Sequence, residues 1–253
     1  MRLPSMKSSG SRFEGKITMV LDEDILKPRP FGGGNPALWQ LKYDVEDKRF
    51  LRIFGDLARL ISRSEKACEK AAEQNNRDYQ RFVAQAEGDY LEELIGASFI
   101  ILQTKIRRVT SSALAFHKAM LDEHQIDIQE LSCRDRIHEL GGRYKRKRAS
   151  LTQLIWDIGN YYKHRDEWPA EVWREKRAGE KDGPLRQGRQ TRRSVQRVGI
   201  IYASTGNMLK AYTFFDIDPY SECEQLADKV QEWANEAYKK AETRLKAEVA
   251  ARR

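Results

Sequence analysis

The stretch Leu91-Glu-Glu-Leu-Ile-Gly-Ala-Ser-Phe-Ile-Ile-Leu-Gln-Thr-Lys-Ile-Arg-Arg-Val-Thr-Ser-Ser-Ala113 decides the fold class. Leu91, Leu94, Ile95, Ser98, Phe99, Leu102, Ile106, Val109 and Ala113 recur at steps of three and four. Side chains at those steps share one face of an α-helix. The stripe belongs to a helical run from about Asp78 to Glu123. His117 continues it, and a lone histidine in such a stripe reads as a satisfied core or boundary residue.

The same period extends to both sides. Upstream, from Asp44, Phe50, Ile53, Phe54, Leu57, Leu60 and Ile61 outline a second amphipathic helix, and Asn75-Asn76 offers a break or an N-cap. Downstream, a further helical region starts after Asp127. Ser132 stands three residues before Asp135, a weak capping pattern, and Gly141-Gly142 stops the short helix carrying Ile137 and Leu140. Ser150 is placed to cap a helix with Leu151, Leu154, Ile155 and Ile158 on its apolar face. Pro169 marks the expected end of that helix, because the residue before a proline is pushed out of helical geometry. Ser221-x-x-Glu224 is a capping box ahead of a last helix with Leu226, Val230, Trp233, Ala237, Leu245 and Val249 on one face. Arg252 and Arg253 suit its C-terminus. This helix is long enough to pack on the bundle or on a partner chain.

The expected architecture is therefore all-α, an antiparallel helical bundle over residues 43–176 with a C-terminal helical segment over 195–253. Val195 to Leu209 is apolar but of ambiguous type. Residues 1–42 read as an N-terminal extension. Within it Phe13–Leu21 alternates weakly, as a short strand would, and Pro28, Pro30, Gly32-Gly33-Gly34 and Pro36 form a linker. The triple glycine lacks the GxxxxGK[ST] spacing of a phosphate loop. Residues 177–194, rich in Gly, Arg, Gln and Lys, read as an exposed basic loop.

Hydrophobic residues make up 40% of the 253 and charged residues 33%, with a mean hydropathy of −0.74. No apolar run approaches 18 residues, so no membrane partner is expected. No apolar segment follows Arg2 and Lys7, so no secretory signal is expected. Cys68, Cys133 and Cys223 are widely spaced and read as reduced thiols, and the location expected is cytoplasmic. The net charge of +8 favours polyanionic partners, nucleic acid ahead of membrane. There is no HExxH, no GxSxG and no metal-ligand spacing among the histidines and carboxylates, so neither a metal nor a cofactor is expected.

One stretch carries chemistry. Asn160-Tyr-Tyr-Lys-His-Arg-Asp-Glu-Trp168 crowds polar, aromatic and basic residues at the end of an apolar helix. On a helix Asp157, Asn160, Tyr161, His164 and Trp168 share a face. Asp157 is placed to orient Asn160 or Tyr161, Asn160 to fix one ring nitrogen of His164, and His164 to exchange protons near neutral pH. Lys163 and Arg165 flank it and suit a phosphate. The competing reading is a helix end whose aromatics pack and whose charges are solvated. The run Arg143-Tyr144-Lys145-Arg146-Lys147-Arg148 is a second candidate. Its cations could track a phosphate backbone and Tyr144 could stack on a base, or the run is a solvated turn.

Long antiparallel helices, a basic turn and a helix ending in Asn160 and His164 resemble the HEPN superfamily over about residues 85–170. That resemblance implies an all-α domain, many of whose members are metal-independent ribonucleases of toxin–antitoxin, anti-phage and CRISPR systems, with sites formed across a dimer. The partners it implies are RNA or another nucleic acid, and a second copy or a complex subunit. The family signature is an Arg, four to six residues, then a His, often with Asn straight after the Arg. Asn160 and His164 match, and Gly159 stands where the Arg belongs. No histidine in the chain meets the signature in full; Arg134 precedes His138 by one residue too few. Catalytic roles for His164, Asn160 and Lys163 then require Lys163, Arg165 or a cation from a second subunit to replace the Arg. The alternative is a non-catalytic helical adaptor.

Overall fold

Helix formation follows the apolar period and its caps in a computed structural model of the chain. It describes residues 36–142, 150–175, 181, 183–201, 204, 206–218, 220 and 222–251, the side chains of 248 and 249 excepted. The expected strand at 13–21, the triple glycine, the basic run 143–148, Ser221 and the last two arginines lie outside these residues.

The helices are α1 (Pro36–Glu46), α2 (Arg49–Ala72), α3 (Arg77–His124), α4 (Arg134–Glu139), α5 (Leu151–His164), α6 (Ala170–Trp173), α7 (Arg186–Gln196), α8 (Asn207–Phe214) and α9 (Glu224–Ala251). Short 3-10 turns lie at Gln129–Leu131 and Gly183–Leu185, and there is no strand among the described residues. The protein is an all-α helical bundle, as the period predicted.

The axis of the bundle is α3. Its 48 residues span about 70 Å at about 1.5 Å per residue. Asn76 caps it by accepting from the amides of Asp78 and Tyr79, both at 3.1 Å. At the other end Gln125 takes the left-handed conformation. The stripe from Leu91 to Met120 is buried, and α1, α2, α5 and α9 pack around it. Phe99, Leu102, Ile106 and Phe116 are fully buried, each worth about 1.5–3 kcal/mol of transfer free energy. Ser98 bonds the Tyr212 hydroxyl at 2.8 Å, and the rings of Phe99 and Tyr212 meet edge-on at 5.2 Å. His117 is buried as expected. Its Nδ1 has no hydrogen bond among the described residues, the nearest Asp127 carboxylate oxygen lying at 3.9 Å.

Four expectations are corrected. Residues 36–42, placed in the N-terminal extension, belong to the bundle. Proline fits the first position of α1, where its missing amide costs nothing, and Leu41 and Val45 are buried. Lys105 donates to the carbonyls of Asp44, Val45 and Asp47 at 2.6, 3.0 and 2.9 Å, satisfying the end of α1. On α2, Phe50, Phe54, Leu57 and Ile61 are buried at steps of four, three and four, but Ile53 and Leu60 are exposed. They flank the buried stripe, which is narrower than the apolar pattern. The supposed basic loop 177–194 is helical over Arg186–Gln196, with Arg189 and Arg192 buried. The Cys133 backbone, not Ser132, precedes α4, and the Ser132 hydroxyl turns back to the Gln129 carbonyl at 2.8 Å.

The last helix spends its apolar face on this bundle. Leu226, Val230, Trp233, Ala234, Ala237 and Ala241 are all buried, and the Trp233 indole donates to the Ile137 carbonyl at 2.8 Å. No helix among the described residues is long and apolar enough to cross a membrane.

Candidate functional site at the end of helix α5

Ser150 caps α5 by accepting from the Gln153 amide at 3.1 Å, as predicted. The helix ends at His164, short of Pro169. The amides of Glu167 and Trp168 both turn back to the His164 carbonyl, at 3.0 and 3.1 Å. Aromatic packing accompanies that turn: Trp168 lies 6.2 Å from Tyr161 and 6.0 Å from Trp173, which meets Tyr161 edge-on at 5.7 Å.

His164 therefore stands at the last helical position, with its side chain 37% exposed. Its Nδ1 lies 2.8 Å from a Glu167 carboxylate oxygen. Only a protonated Nδ1 can donate to that carboxylate, so Nε2 is left as the ring nitrogen that accepts a proton. Lys163 is exposed and has no ion pair or hydrogen bond among the described residues. Arg165 is committed elsewhere: it stacks over the Tyr162 ring at 4.7 Å and pairs with Glu93. The Tyr162 hydroxyl donates to the same Glu93. Burial, then that carboxylate, pushes the tyrosine up to about 12. Gly96 makes room for the ring, since a Cβ there would sit 2.0 Å from it.

The expected single polar face is not assembled. Asn160 was expected to fix His164. Its oxygen instead accepts from Gln103 Nε2 at 2.7 Å, and Glu167 takes the histidine. Asp157 was expected to orient Asn160 or Tyr161, but it accepts from Gln153 at 3.1 Å. The Tyr161 hydroxyl accepts from Asn207 at 3.0 Å. These residues share an arc of helix, yet α5 packs against α3, α4 and α7 and meets α8 through Tyr161. Each side chain takes the donor nearest its own edge of the arc. The candidate contacts Arg143, Tyr144, Lys145, Arg146, Lys147 and Arg148 lie outside the described residues.

A second polar cluster was not anticipated. His138 on α4 is buried between Trp156 and Trp233, with ring separations of 5.9 and 6.2 Å. Its Nδ1 lies 3.0 Å from the Gln153 side-chain oxygen, and the other end of that amide donates to Asp157. The Ser194 hydroxyl on α7 also bonds Asp157, and Arg134 and Arg197 bear on it electrostatically. Burial pulls the histidine down to about 4, against the Gln153 bond. Burial pushes the Asp157 carboxyl up to about 6, against Gln153, Ser194 and the two arginines. Both groups therefore favour their neutral forms in the fold. The Gln153 and Asp157 pair, four apart on α5, was the legible hint. His138 and Ser194 come from other elements, and Ser194 sat in a segment read as loop.

The segment before α8 is clipped by Asn207, which donates to the carbonyls of Ile201 and Ser204 and accepts from the Ile201 amide. Glu92 accepts from the Met208 amide at 2.9 Å in the first turn of that helix. A cleft of about 650 Å³ opens elsewhere, lined by Asp127, Glu130, Arg136, Glu139 and Arg244 among others, and none of its lining residues belongs to α5. Among the described residues no three His, Cys, Asp or Glu side chains are grouped as metal ligands.

No protein-family model, curated protein or solved structure matches the chain.

Proposed function

We propose that this chain is an HEPN-like RNA-binding protein that cleaves RNA without a metal, acting as a homodimer or inside a bacterial toxin–antitoxin or anti-phage complex. The observation that carries the reading is His164, held through Nδ1 by Glu167 at the surface beside Lys163, which has no ion pair among the described residues. Nε2 takes the proton of a ribose 2′-hydroxyl. The 2′-oxygen then attacks the adjacent phosphorus, and the 5′-oxygen leaves and takes a proton from water. Lys163 meets the charge that develops on the phosphate, the part the absent signature Arg would otherwise play. Asn160 is bound to Gln103, so its part is to hold α5 on α3 beneath the site. The net charge of +8 supports a polyanionic substrate.

The test is incubation with RNA in EDTA. His164→Ala should lower cleavage by about 10²–10⁴-fold, the range for losing a general acid–base. Equal cleavage by wild type and variant, or none by folded and assembled wild type, refutes the enzymatic reading.

The adaptor alternative draws less support, because the apolar face of α9 is buried in its own bundle. Removing residues 220–253 would strip Trp233 and its neighbours from the core before it could report on assembly. A surface for partners is offered instead by Tyr79, Phe82 and Tyr90, exposed along the first turns of α3.

A further inference from the structure

Helix α7 carries Arg186, Arg189, Arg192 and Arg193, is followed by Arg197, and has no acidic residue from 186 to 197. The five arginines divide by face. Arg189 and Arg192 turn inward. Arg192 donates to the carbonyls of Trp173 and Arg174, both at 2.8 Å, and to Glu175 at 3.2 Å. Arg189 reaches the Glu171 carbonyl at 3.4 Å. These two anchor α6 and the residues after it. Arg186, Arg193 and Arg197 are exposed and form no ion pair among the described residues. They stand at steps of seven and four, with Gln190 between the first two. Arg197 keeps helical dihedrals, so all four lie within about 60° of one another around the axis.

We propose that this outer face of α7 is a docking surface for the backbone of single-stranded RNA. The inference rests on the RNA reading above and extends it to residues well separated in sequence from His164. Charge complementarity carries it. The face from Arg186 to Arg197 is about 16 Å long at about 1.5 Å per residue. A stacked strand presents a phosphate about every 3.4 Å, so the face spans roughly five of them. Gln187, Gln190 and Gln196 are exposed among the arginines and supply amides for ribose hydroxyls. Two of the counter-charges among the described residues are engaged: Glu175 pairs with Arg192, and Asp157 is buried and bonded by Ser194. Arg134 also bears on Asp157, lies 5.7 Å over the half-buried Trp156 ring, and has Asp135 at 3.8 Å. Arg134 on α4 and Arg197 after α7 therefore both lie within electrostatic reach of Asp157, the former over an aromatic ring. A lipid surface fits less well, because the exposed positions of α7 are all arginine or glutamine and nothing apolar is there to insert.

The experiment measures binding of a labelled oligouridine by fluorescence anisotropy across a salt series, with wild type and the triple variant Arg186→Gln, Arg193→Gln, Arg197→Gln. Three lost phosphate contacts should lower the slope of log K against log salt by about 2 and weaken binding about 100-fold at 0.1 M salt. A triple Arg→Lys variant should keep most of the slope, and matching circular dichroism shows that both variants are folded. An unchanged slope in the folded glutamine variant, with wild type binding, overturns this surface and leaves the RNA reading standing. Failure of wild type to bind oligouridine overturns both. Binding of wild type to phosphatidylserine vesicles but not to oligouridine overturns the surface in favour of lipid. Cleavage by His164 is read separately, so loss of cleavage with salt-dependent binding intact bears only on the enzymatic reading.

Discussion

Replacing Asp157 with asparagine should change how stability depends on pH, in a direction set by the burial of its carboxyl. That carboxyl is 6% exposed and is pushed up to about 6 from an ordinary value of 3.8. The protonated form is the one the fold favours. Its stabilising contribution is complete below pH 3.8, declines as the unfolded chain ionises first, and is gone once the pH passes about 6. The displacement is about two pH units, at about 1.4 kcal/mol for each, so ionised Asp157 costs roughly 3 kcal/mol near neutrality. Asparagine is close in shape, can still accept from Gln153, and does not ionise. Urea denaturation of both proteins from pH 4 to pH 7.5 reads the difference. It should be near zero at pH 4, grow to a stabilisation of up to about 3 kcal/mol above pH 6, and shift the neutral midpoint by about 1 M. His138 works in the opposite sense. Held down to about 4 from 6.5, it contributes stability that is present above 6.5 and lost as the pH falls towards 4. Both proteins carry it, so it cancels in the difference. A difference that is flat with pH, or a destabilised variant at pH 7, refutes the reasoning. It would mean that Gln153, Ser194 and the two arginines outweigh the loss of hydration.

Gly96→Ala should destabilise the fold by about 1–3 kcal/mol, because its Cβ would overlap the Tyr162 ring. Chemical denaturation measures this, and adding Tyr162→Ala should restore part of the loss; a stable single variant refutes the close approach. Asn207→Ala removes one acceptor and two donor contacts to Ile201 and Ser204 before α8, and one donor contact to Tyr161. It should cost about 1–3 kcal/mol and speed hydrogen exchange at the Ile201 amide. Unchanged exchange at that amide would show that the segment is held by other contacts.

Much of the fold was legible because burial follows a period the sequence displays. The Leu91–Ala113 stripe lies in a helix, Ser150 caps α5, and Asn76 caps α3. What failed did so for local reasons. α1 is short and its end is satisfied by Lys105, which arrives from α3, so the elements that stabilise it are remote in sequence. α7 has only Val195 as a buried large aliphatic. Its inward face is Gly188, Arg189, Thr191 and Arg192, which reads as solvent-loving until the carbonyls after α6 are seen to receive the arginines. The candidate site shows the same limit. His164 and Lys163 were placed at a helix end from their spacing, whereas the partner of the ring was assigned to Asn160 and turned out to be Glu167.

The sequence alone determined that this chain forms an all-α bundle around one long helix, because apolar periodicity and caps act within a few residues of one another. Only the tertiary structure decided which polar groups meet. Asp157 with Ser194, Asn160 with Gln103, and Arg165 with Glu93 are each chosen by which neighbouring helix presents a partner within hydrogen-bond reach. A buried polar group left alone is costly, so each takes the partner that packing supplies.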